Sequence, residues 1–124
     1  RSLLVTDAVT PAGCRPGRYR LGEQEVELKP DNRVVLAGQT RLAGSALCMH
    51  RGVENLMRLA GLSLGQAVAM ATTNPARVGQ FPARQKGLFP RERADLVQFR
   101  FDPSSGQIHI ERTFLDGELI WSAD

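Results

Sequence analysis

Leu3-Leu4-Val5-Thr6-Asp7 is the stretch that decides how the rest of these 124 residues are read. Four consecutive apolar or β-branched residues predict a strand buried on both faces. A strand of that kind needs neighbours on either side, yet only Arg1-Ser2 precedes it and there is no initiating Met. The expectation is therefore a piece of a longer protein. Asp7 follows the strand directly. A carboxylate at the C-terminal end of a buried parallel strand lies on the face where α/β barrels gather their catalytic groups. There it could act as base, acid or metal ligand. The plain alternative is an Asx turn or a helix cap.

Working outward, Pro11-Ala12-Gly13-Cys14-Arg15-Pro16-Gly17 is a turn-rich loop. Two short strands are predicted after it, over 19–28 and 34–37, with Lys29-Pro30-Asp31-Asn32 as the turn of a hairpin with one wet face. Met49, Val53, Leu56, Met57 and Ala60 form one apolar stripe at helical spacing. This predicts a helix over 46–60, with Ser45 as its N-cap and Gly61 as its left-handed C′ residue. Ser63 and Gln66 stand at capping-box spacing before a second helix that uses Leu64, Ala67, Val68 and Ala71. Asn74-Pro75 ends it and can open a further turn over 76–78.

From Gly79 the texture changes. Residues 80–93 are a loop rich in Pro and Arg. Beyond it the period becomes two: Val97, Phe99 and Phe101 alternate with polar residues, as do Ile108 and Ile110. Asp116-Gly117, between apolar runs, is a strong two-residue hairpin signal.

The composition is ordinary for a folded chain, with 42% hydrophobic and 23% charged residues, which excludes a disordered or collagen-like protein. The net charge is +3. The 14 Arg and two Lys are scattered among acids rather than gathered on one face, so a nucleic-acid partner is not expected. No run reaches the ~18 apolar residues of a membrane helix, and no basic-then-apolar leader opens the chain. Cys14 and Cys48 show no metal spacing and read as two unpaired thiols of a cytoplasmic protein.

Other residues could carry chemistry. Leu42-Ala43-Gly44-Ser45 offers free backbone N–H groups and, through its glycine, close approach by a ligand; the bland reading is a helix cap. His50 and His109 lack partners at ligand spacing and read as surface or boundary residues. Arg77, Arg84, Lys86, Arg91 and Arg93, with Glu92 among them, read as a solvated loop, with a phosphate contact as the alternative. Trp121 and the Phe residues read as core.

Three segments, in order, resemble one family. Leu4-Val5-Thr6-Asp7-Ala8 resembles the last barrel strand and catalytic Asp of the N-acetylglucosamine-6-phosphate deacetylases, members of the amidohydrolase superfamily. The segment Gly17-Arg18-Tyr19-Arg20-Leu21-Gly22, with Leu42-Ala43-Gly44-Ser45-Ala46-Leu47-Cys48-Met49, resembles that family's hairpin and the segment lining its sugar site. Ala71-Thr72-Thr73-Asn74-Pro75-Ala76-Arg77, and Lys86-Gly87-Leu88 with Ala94-Asp95-Leu96-Val97, are similar to motifs of the wider superfamily. Two positions depart from the pattern: His50, where members often carry an acid, and Arg91, where Gly is frequent.

The resemblance implies an α/β fold: the C-terminal end of a (β/α)8 TIM barrel over residues 1–79, and part of a small β-sandwich domain over 80–124. It implies Asp7 as the catalytic acid/base and Leu42, Ala43, Gly44 and Ser45 as substrate-binding residues. It implies a divalent metal, zinc or iron, whose ligands lie outside this segment, so no metal ligand is assigned to the chain. The implied substrate is a phosphorylated amino sugar, deacetylated by a full-length homodimer; the piece alone is expected to be inactive. The competing readings are another amidohydrolase, dihydroorotase-like or a deaminase, and a non-catalytic interaction module.

Overall fold

The computed structural model describes residues 2–123. It comprises two compact units, Val5–Gly52 and residues 2–4 with 53–123.

In the unit Val5–Gly52, four strands run as an antiparallel meander: β1 (Gly17–Leu21), β2 (Gln24–Leu28), β3 (Arg33–Leu36) and β4 (Leu42–Ser45). The stretch 19–28, expected as one strand, is itself a hairpin. Gly22, at φ +60, and Glu23 reverse the chain so that Leu21 pairs with Gln24. A left-handed turn of this sort is what glycine permits without a Cβ penalty. Val26, Leu28, Val34 and Ala46 form the buried cluster, with Val9, Ala12, Tyr19, Leu21, Leu36 and Ala43 packed around it. Alternation along β2 explains the choice. Val26 and Leu28 point inward, while Glu25 stays exposed and Glu27 reaches Lys29 at 2.7 Å. A bulge between Val34 and Val35 shifts the register against β4, so Val34 faces Gly44 and Val35 faces Leu42.

Ser45 is not the helix cap expected of it. It ends β4, and its Oγ accepts a hydrogen bond from the Leu47 N–H at 3.1 Å, a local turn. The helix α1 (Met49–Ala60) starts four residues later. It closes as expected at Gly61, at φ +65, whose N–H donates to the Met57 carbonyl.

In the other unit, α2 (Leu64–Ala71) opens on the capping box read from the sequence. Ser63 Oγ accepts from the Gln66 N–H at 3.3 Å, and Gln66 Oε1 accepts from the Ser63 N–H at 2.9 Å. The short helix α3 (Thr73–Val78) contains Asn74-Pro75 in its first turn. A three-stranded antiparallel sheet follows, β5 (Leu96–Asp102), β6 (Gln107–Leu115) and β7 (Glu118–Ser122), with Asp116 and Gly117 both at positive φ in the last turn. Val53, Ala67 and Ile108 are its buried centre, flanked by Leu56, Met57, Val68, Phe99, Phe101 and Ile110. Trp121, expected in the core, is 49% exposed on β7; no strand among the described residues lies beyond β7 to cover it.

The opening stretch differs from expectation as well. Residues 2–6 carry no regular secondary structure and join no ladder, and Val5 is 69% exposed. Leu4 alone packs on the cluster of its unit, its N–H donating to the Met70 carbonyl, while Asn74 Nδ2 donates to the Ser2 carbonyl. No strand among the described residues lies beside 2–6, so the ladder a buried strand requires has no partner here. Arg1 lies outside the described residues.

Two carboxylates organise loops of this unit. Asp95 Oδ1 accepts from the Asp116 N–H at 2.9 Å, and Arg84 meets Asp95 Oδ2 at 2.7 Å. The Asp116 N–H first, then the Arg84 and Arg93 guanidiniums, hold its carboxyl below the usual range against a partly opposing effect of burial. Asp102 receives the Ser104 and Ser105 hydroxyls at 2.7 Å each, and these hydrogen bonds, with that of the Ser104 N–H, lower its pKa from 3.8 to about 2. A carboxylate depressed in the folded state stabilises fully above its unfolded pKa, and that stabilisation is lost as pH falls through the folded value. The expected result is an acid-sensitive component of stability lost between pH near 4 and pH near 2. Asp102→Asn should flatten the dependence of Tm on pH in that window. An unchanged slope would show that the loop contributes nothing to acid stability.

Candidate functional site

The site candidates read from the sequence are Asp7 and the four residues of β4, and all five lie in the unit Val5–Gly52. The chain path brings the two segments together. Ala8 forms a parallel bridge with Ser45, and the Val9 N–H donates to the Ser45 carbonyl at 2.9 Å. Asp7 therefore stands one residue from a backbone pairing with the end of β4.

Asp7 is exposed, at φ +49, in the left-handed region that Asp tolerates better than most residues. Its carboxylate makes no hydrogen bond or ion pair among the described residues. Its placement is inherited from the backbone at Ala8 and Val9.

Within β4 the four residues differ. Ala43 packs against the buried cluster, whereas Leu42 is 65% exposed. Ser45 is half-buried, with its Oγ already engaged by the Leu47 N–H. Gly44 faces Val9 so closely that a Cβ at position 44 would lie 2.7 Å from Val9 Cγ2. Sequence reasoning passed over Val9. The signal was a glycine inside a strand, which marks close approach of a second backbone, but the sequence did not say which one.

The remaining candidates stand elsewhere. His109 is exposed on β6 and His50 half-buried on α1. Arg77 donates to the Gln85 carbonyl, Arg84 and Arg93 pair with Asp95, and Lys86 Nζ sits 5.7 Å from the Phe89 ring centre. Among the described residues no group of three or more His, Cys, Asp or Glu is placed to hold a metal ion, and no helix is long and apolar enough to cross a membrane.

The path of the chain is similar to that of solved sugar-phosphate deacetylases. The chain matches the N-acetylglucosamine-6-phosphate deacetylase of Thermotoga maritima at a TM-score of 0.76 and 28% identity, over 98% of its own length and 31% of that structure. It matches the Mycobacterium smegmatis enzyme, in a mutant complex with N-acetyl-D-glucosamine-6-phosphate, at 0.75 and 28%, over 97% and 30%. No family model matches the chain. A protein of Escherichia coli K12, provisionally named N-acetylgalactosamine-6-phosphate deacetylase, is 34% identical over 96% of this chain and 67% of its own length. Human N-acetylglucosamine-6-phosphate deacetylase is 33% identical over 98% of the chain, which spans 28% of that protein.

The chain belongs to the family of N-acetylated amino-sugar 6-phosphate deacetylases. It spans about 30% of the length of most of these relatives.

Proposed function

We propose that the whole protein hydrolyses the acetamide of N-acetylglucosamine 6-phosphate, giving glucosamine 6-phosphate and acetate. The observation that supports this reading is the bridge from Ala8 to Ser45, which joins the backbone next to Asp7 to the end of β4. One segment then does the proton chemistry and the other holds the sugar.

The Asp7 carboxylate takes a proton from the water that adds to the acetamide carbonyl carbon. As the carbon–nitrogen bond breaks, Asp7 returns that proton to the departing amine, and the carbonyl carbon leaves as acetate. Leu42, Ala43, Gly44 and Ser45 contact the sugar through backbone groups. The Ser45 hydroxyl keeps its structural hydrogen bond to the Leu47 N–H meanwhile.

The family resemblance implies a divalent metal, zinc or iron; bound, such an ion polarises a carbonyl and lowers the pKa of a water. The resemblance assigns its ligands outside this segment; among the described residues no group of three or more His, Cys, Asp or Glu is placed to hold it. The reading places the hand-over from barrel to small β-domain near residue 79, where α3 gives way to the loop 80–93. It extends to a homodimer in the cytoplasm, and the free, exposed Cys14 and Cys48 fit a reducing compartment.

The test is a panel of amides offered to the whole protein, with acetate and amine followed directly. N-acetylglucosamine 6-phosphate is expected to give acetate, with N-acetylgalactosamine 6-phosphate as the comparison that two relatives' names suggest. Turnover of a cyclic amide or an aminopurine, without acetate from either sugar phosphate, would replace this reading with a dihydroorotase-like or deaminase one.

A further inference from the structure

Gly44 stands at φ +157, a conformation that L residues rarely adopt, and a side chain there would also meet Val9. A Cβ there would lie 2.7 Å from Val9 Cγ2, 2.8 Å from Val9 Cγ1 and 3.3 Å from Val9 Cβ. Carbon atoms in favourable contact stand ~3.5–4.0 Å apart. All three close atoms belong to one β-branched side chain, whose χ1 is restricted. Val9 in turn packs against the buried cluster, so it has little room to retreat. Its own N–H is committed to the Ser45 carbonyl at 2.9 Å, and its neighbour Ala8 to the bridge with Ser45. Two residues before this contact is Asp7, whose carboxylate is held by nothing of its own among the described residues.

We propose that Val9 seated against Gly44 is the device that sets the position of Asp7 over Leu42–Ser45, making Val9 a positioning residue for the reaction. The inference rests on the reading above, in which Asp7 carries the proton and β4 holds the sugar. The glycine lets the two backbones close to the distance at which Ala8 pairs with Ser45. The valine stops them from closing further and fixes the register. A methyl group at position 44 points at Val9, so it spreads the two segments and lifts Asp7 away from its substrate. Misplacement on the order of 1 Å costs about 10²-fold in rate.

The experiment uses steady-state kinetics of the whole protein on N-acetylglucosamine 6-phosphate with four variants. Gly44→Ala is expected to lower kcat by about 10²-fold while KM stays within a few-fold, the pattern of a lost transition-state arrangement. Val9→Ala alone should lower kcat by less. The double variant Val9→Ala/Gly44→Ala should recover at least about tenfold of the lost kcat, because removing the two Cγ atoms makes room for the new methyl, while the φ of +157 at position 44 keeps part of the loss. A methyl acting on the sugar instead would give no such rescue. If Gly44→Ala fails to fold, the double variant must restore folding and turnover together. The inference is overturned by wild-type kcat in Gly44→Ala, by a loss confined to KM, or by a double variant no better than Gly44→Ala. Asp7→Asn separates the two levels. Undiminished turnover in Asp7→Asn removes the acid/base reading itself. An inactive Asp7→Asn beside an unimpaired Gly44→Ala removes only the positioning role of Val9.

Discussion

Asp7→Asn in the whole protein is expected to reduce turnover by about 10²- to 10⁴-fold, the range that a positioned general acid/base contributes. The amide keeps the size and shape of the carboxylate but can neither take the water's proton nor return it to the amine. The fold should not notice the change. Asp7 is exposed and makes no hydrogen bond or ion pair among the described residues, and Asn tolerates its left-handed φ of +49 equally well. Thermal stability and circular dichroism should therefore match the parent protein. A variant that keeps more than a few per cent of its activity would remove Asp7 from the chemistry.

Leu28→Ala is expected to cost about 2–5 kcal/mol of stability, the range for emptying a buried leucine site. Leu28 is 2% exposed, between Val26 and Val34, in a buried cluster of only four residues. A cluster so small has few neighbours that can relax into the space. The consequence reaches the site, because Val9 and Ala43 both pack against this same cluster. Losing it removes the support behind both the Asp7 segment and β4. Chemical denaturation should show the loss, and amide exchange should speed most across β1–β4. Leu28→Met, which conserves volume, should cost less than about 1.5 kcal/mol. A Leu28→Ala protein within 0.5 kcal/mol of the parent would show that the cluster does not hold the meander together.

What the sequence disclosed, and what it withheld, follows the range of the interactions involved. The capping box at Ser63 and Gln66 was legible because its two hydrogen bonds are made within four residues. The Asp116-Gly117 turn was legible because both residues accept positive φ. Ser45 was misread for an instructive reason. Its hydroxyl does accept a backbone N–H a short way ahead, as an N-cap does, but the acceptor serves a turn at Leu47 and the helix begins at Met49. Gly22 hid a chain reversal inside what looked like one strand. The four residues of β4 carry too little alternation to announce a strand, and the bulge at Val34–Val35 blurs it further.

The site was legible as two separate segments only. Asp7 and Leu42–Ser45 stand out both in their local sequence and by resemblance, yet nothing local says that Ala8 pairs with Ser45 across 37 positions. That register is a tertiary property. Its trace in the sequence is Gly44, which both its φ of +157 and the close Val9 opposite it favour.

The most direct measurement of the division of labour is calorimetric binding of N-acetylglucosamine 6-phosphate to Asp7→Asn, with acetate release followed on the same sample. The predicted result is binding close to that of the parent protein with acetate release reduced at least about 10²-fold. Acetate released at the parental rate would contradict the role of Asp7. Lost binding would contradict the assignment of sugar contact to β4.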